Sequence, residues 1–161
     1  RCRAAGGAAT GRRHLTAIAM EISEVRKRLL QTMDQARRDA AGRRTRADAA
    51  ASAYEVFLER VATPLFKQVA GVLKAENYPF QVFTPGGGLR LASERVSGDF
   101  IDLTLDVSGE SPVVLGRTSR ARGSHILTAE RPLNPGTAID QLTEDDVLEF
   151  LLAEIQPFVE R

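Results

Sequence analysis

The sequence predicts an α+β fold: a long N-terminal helix and a second helix, then an antiparallel β-meander of four to five strands, then a C-terminal amphipathic helix. The helices are expected to pack on one face of the sheet. Three observations carry this. Apolar residues from Ile22 onward recur at three- and four-residue steps. Short β-branched and aromatic runs separated by Gly, Pro and Ser fill residues 78–131. A capped amphipathic run begins at Thr143.

Residues 1–19 are rich in Gly, Ala and Arg without periodicity and read as a disordered tail, with Met20 as the expected start of translation. From Ile22, the series Val25, Leu29, Met33, Ala36, Ala40, Arg43, Ala47, Ala50, Tyr54, Phe57 and Val61 keeps one stripe on one side of a helix. The stripe runs through Gly42, whose cost of about 1 kcal/mol relative to alanine is too small to break a supported helix. The reading favoured is one helix over 21–62; its rival is a helical hairpin turning near Ala41-Gly42-Arg43. The middle of the stripe is alanine, a weak core but a seam along which two helices approach closely.

Thr63 is expected to cap a new helix with Pro64 at its first position, or Pro64 to kink the old one. Leu65, Phe66, Val69, Val72 and Leu73, with Tyr54, Phe57, Leu58 and Val61, are the expected cover of the sheet. Tyr78-Pro79 ends the helix, because a residue before proline avoids the α region. The domain organisation is thus a tail (1–19), a long helix with coiled-coil spacing (20–62) and an α+β domain (63–161).

Within the sheet, Ile101, Leu103, Leu105 and Val107 alternate with Asp102, Thr104 and Asp106, so one face is aliphatic and the other acidic. Asp99, Asp102 and Asp106 therefore read as a solvated face; Asp102 and Asp106 stand about 13 Å apart along a strand, too far to share one cation. Pro85-Gly-Gly-Gly88 has strands on both sides and no following Lys-Ser/Thr, which makes it a hairpin turn and not a phosphate loop. Thr143-Glu-Asp-Asp146 supplies a cap and three acids to a first helical turn, and Val147, Phe150, Leu151, Leu152, Ile155, Phe158 and Val159 form its apolar face.

Charge is asymmetric. Thirteen Lys/Arg against seven Asp/Glu through Arg60 give +6, and nine against fourteen thereafter give −5. A basic helical half suits an anionic partner or head-to-tail association. The run Arg117-Thr-Ser-Arg120-Ala-Arg122-Gly123 reads as an arginine-bearing hairpin turn, and Arg37 and Arg44 as a basic stripe beside the alanine seam. These five arginines are the candidate anion or nucleic-acid contacts. The hairpin itself has no aromatic residue for base stacking.

Neither His14 nor His125 falls in a nucleophile-elbow or zinc-binding spacing, and Cys2 stands alone, so no catalytic residue, metal or cofactor is expected. No window approaches the roughly 18 uninterrupted apolar residues of a spanning helix, and no apolar leader core occurs, so a cytoplasmic, non-membrane protein is expected. In outline the order of elements is similar to that of small bacterial nucleoid-associated proteins, a likeness of arrangement that no motif carries. The function expected is non-enzymatic binding or scaffolding, with a homodimer formed along the long helix and an anionic partner such as nucleic acid. A protein–protein adaptor or chaperone-like subunit is the alternative, ahead of a small-ligand protein or enzyme near His125 and Arg117.

Overall fold

A computed structural model describes residues 21–160. The expected tail, Met20, Cys2 and His14 lie outside the described residues. The chain divides into two compact units, Arg1–Asp39 and Ala40–Arg161. Helix α1 (Ile22–Phe57) is a single helix, so no hairpin forms at Gly42. The first unit contributes its opening part, where Ile22, Val25, Leu29, Leu30 and Met33 are all exposed.

In the second unit the stripe sinks into the core: Ala50, Tyr54 and Phe57 are buried. A π-helical turn, Leu58–Ala62, leads directly into α2 (Thr63–Ala75). Thr63 does not cap. Its backbone is helical, and its N–H donates to the Leu58 carbonyl five residues back. The reason is Pro64, which lacks an N–H for the Arg60 carbonyl and whose ring crowds it; a widened turn absorbs both faults without ending the helix. The exit is a Schellman cap: Asn77 takes φ 66°, the Tyr78 N–H donates to the Leu73 carbonyl at 2.7 Å, and the Asn77 N–H to Lys74 at 3.2 Å.

Five antiparallel strands follow in the order β1-β2-β3-β4-β5: Phe80–Phe83, Leu89–Ser93, Phe100–Asp106, Val113–Arg122 and His125–Pro132. Gly86 and Gly87 (φ 44° and 82°) make the β1–β2 turn, closed by Gly88 N–H to the Pro85 carbonyl at 2.8 Å. Two successive positive φ values define a primed turn, whose twist matches that of the strands it joins.

The last two strands are longer than expected. The arginine run is strand, not turn, and only Gly123 and Ser124 separate Arg122 from its partner His125. The backbone ladder and the long arginine stems sustain the strand where composition alone suggested a loop.

Helix α3 (Glu144–Val159) carries the expected cap as a full box: the Thr143 hydroxyl accepts from the Asp146 N–H, and the Asp146 carboxylate accepts from the Thr143 N–H at 2.8 Å. Two helices, α2 and α3, cover the aliphatic face. Ile101, Leu103, Leu89 and Leu91 are buried there with Phe66, Val147, Phe150 and Leu151. A Cβ built on Gly116 would stand 2.1 Å from Phe150 Cζ, so the glycine is the seat of that ring. Val72, Leu152 and Val159, expected on the apolar faces, are exposed, because each lies beyond the arc that meets the sheet. Among the described residues no helix is long and apolar enough to cross a membrane.

Candidate functional site

Period two sends every second side chain to the sheet face opposite α2 and α3. Strand register then aligns one residue from each of the five strands in a single transverse row. Phe83 pairs with Arg90, Arg90 with Asp102, Asp102 with Arg117, and Arg117 with Glu130. Charge alternates along the last four. The next row holds Gln81, Ala92, Phe100, Ser119 and Thr128.

Asp102 is the centre. Arg90 holds both of its oxygens, Nε to Oδ1 at 2.6 Å and Nη2 to Oδ2 at 2.8 Å, and Arg117 Nη2 donates to Oδ2 at 2.9 Å. The guanidinium carbons of Arg90 and Arg117 lie 4.0 and 5.6 Å from the centre of the Phe100 ring. This roof leaves Asp102 3 % exposed. Its charge is therefore consumed inside the cluster, and two cations share one anion. The hydrogen bond to Asp102 raises the Arg90 pKa further above its usual range. Arg117 keeps 44 % of its side chain exposed, while its Nε is buried without a hydrogen-bond partner among the described residues. Beneath the strand, the Tyr54 hydroxyl donates to the Leu103 carbonyl at 3.0 Å. Burial first, and the nearby Asp102 charge second, push the Tyr54 pKa up.

The solvated acidic face expected at Asp99 and Asp102 is corrected here. Asp99 is 4 % exposed and accepts from the Ala121 N–H at 2.8 Å, and Asp102 is enclosed by its arginines. Asp106 sits at the strand end and accepts from the Ser108 hydroxyl and, second, from its N–H, which lowers its pKa. Among the described residues no His/Cys/Asp/Glu group is arranged to hold a metal ion.

The five candidate arginines do not form one site. Arg117 points to the open face; Arg120 and Arg122, three and five residues further along the same strand, point to the α3 side. There they line a cavity of about 610 Å³ with Ala121, Gly123, Pro157 and Glu160. Arg120 is partly engaged, Nη1 donating to the Pro157 carbonyl at 3.3 Å at the C-terminal end of α3. In the first unit Arg37 is exposed and pairs with Asp34 at 3.4 Å. Arg44 is exposed on α1 in the second. His125 is exposed on the edge strand β5.

Sequence reasoning missed Arg90, Phe83 and Phe100, and took Asp102 for a solvated acid. Opposite charges at the non-core positions of consecutive strands, Arg90 in Leu-Arg-Leu and Asp102 in Ile-Asp-Leu, are a signal for the pair once β2 and β3 are taken as antiparallel neighbours. No protein-family model, curated protein or solved structure matches this chain.

Proposed function

We propose that this chain is a non-enzymatic binding or scaffolding protein that pairs with a second copy along the opening of α1 and holds an anionic partner, nucleic acid, through arginines. The observation that supports it most is the aliphatic stripe of the first unit. Ile22, Val25, Leu29 and Met33 are 87, 47, 58 and 41 % exposed, at helical spacing on one side. Such a seam gains about 25 cal/mol per Å² when covered. A second copy in parallel register suits it. With Ile22 and Leu29 at a and Val25 at d, Met33 flanks the seam at e, and Glu21 at g meets Arg26 of the other copy at e, an attractive pair. The arginines support the anionic partner: Arg117 keeps 44 % of its side chain exposed on the open sheet face.

Retention on immobilised DNA at low salt, falling steeply as salt rises, is the expected result. No retention at the lowest salt would remove the anionic partner. The adaptor reading has one feature in its favour. Residues 125–131 of β5 are all exposed on an outer strand, a template to which an extended peptide adds. One stoichiometric protein, without nucleic acid, recovered with the chain would favour that reading.

A further inference from the structure

We propose that the open sheet face is where the partner sits, and that the partner is a single nucleic-acid strand: Arg117 takes a phosphate and Phe83 stacks on a base. The inference rests on the reading above that the partner is anionic.

Arg117 has the donors. It spends Nη2 on Asp102, its Nε is buried without a partner among the described residues, and nearly half of its side chain still meets solvent. A buried N–H left without a partner is unfavourable. An oxyanion can approach the part of the side chain that remains exposed, not the enclosed Nε. Two guanidiniums around one carboxylate leave one positive charge, which Glu130 across from Arg117 offsets at the rim.

A stacking surface stands in the same row. Phe83, 49 % exposed, lies directly across from Arg90. Phe100 is unsuited to the task because the Arg90 guanidinium covers its ring at 4.0 Å. Stacking on an exposed ring needs an unpaired base with its face free, which selects a single strand over a duplex. Glu130, exposed and directly opposite Arg117 on β5, opposes the phosphate and moderates affinity. The cavity around Arg120 and Arg122 is the weaker candidate. Arg120 is engaged with the Pro157 carbonyl, Glu160 lines the cavity, and the negative end of the α3 dipole repels an anion there.

The test is fluorescence anisotropy of the full chain with a labelled single-stranded oligothymidylate and with a duplex of equal length, both at low salt. The single strand should bind more tightly. Phe83→Ala and Arg117→Gln should each weaken it about tenfold, and Glu130→Gln should tighten it. Phe83 and Glu130 are exposed, so their variants decide the matter should Arg117→Gln fail to fold. Binding that prefers the duplex, or that ignores Phe83→Ala and Glu130→Gln, overturns this site. So does weakening by Arg120→Ser with Arg122→Ser while Phe83→Ala is neutral; either result leaves the anionic-partner reading standing. Failure to bind either polymer overturns both.

Discussion

Arg90 grips Asp102 through both carboxylate oxygens across the β2–β3 pair, at 2.6 and 2.8 Å, on a sheet face turned away from α2 and α3. The pair is enclosed because Arg90 also lies over Phe100, and Arg117 closes the other side. Open-sheet charge pairs in high dielectric usually contribute little; this one has fork geometry and a carboxylate almost free of water.

Asp102→Ala should therefore cost about 1.5–3 kcal/mol, the range for hydrogen bonds to a charged group. The figure stays below that of a fully buried pair because the arginine side chains remain 32 and 44 % exposed and can re-solvate. Urea unfolding of both proteins checks it, and a change under 0.5 kcal/mol would show the cluster to be ornamental to stability.

Gly116→Ala should destabilise despite the usual strand preference for alanine. A glycine-to-alanine gain is about 0.4–1 kcal/mol. The new Cβ, however, would overlap the buried Phe150 ring, 2.1 Å from Cζ and 2.3 Å from Cε2. Overpacking of that kind costs about 1–3 kcal/mol, so the net sign is negative. Thermal unfolding reads it directly, and a raised midpoint would mean the ring has somewhere else to go.

How much of this was legible depended on the range of the interaction. The alternation Ile101, Leu103, Leu105 and the Thr143–Asp146 box are local, and both the buried face and the cap follow from them. Asp102 was misread as solvated because its partners come from β2 and β4, and only the register places them beside it. Arg117 and Arg120 read as one basic run, yet three residues along a strand put them on opposite faces. Thr63-Pro64 carries the composition of a helix start. Its outcome turned on whether the preceding helix could widen by a π turn, which no local propensity encodes.

Acid should weaken the domain partly through Asp146. Its pKa is lowered, chiefly by the Thr143 N–H and then by the Thr143 hydroxyl and the Asn134 amide. A carboxyl whose folded pKa is depressed contributes stability that is full above its unfolded value, near 3.9, and lost as pH falls through the folded value. Asp106 shifts in the same direction. Asp146→Asn should therefore narrow its deficit against the parent as pH drops below about 4. Urea midpoints across that range test it; parallel curves for the two proteins would contradict the assignment.

The molar mass of the full chain by light scattering is the most direct test of the functional account. Pairing along α1 predicts twice the 17.5 kDa of one chain, falling to a single chain when Leu29→Glu charges the middle of the stripe. A parent protein that stays at 17.5 kDa as concentration rises, or a Leu29→Glu variant that remains doubled, would contradict it.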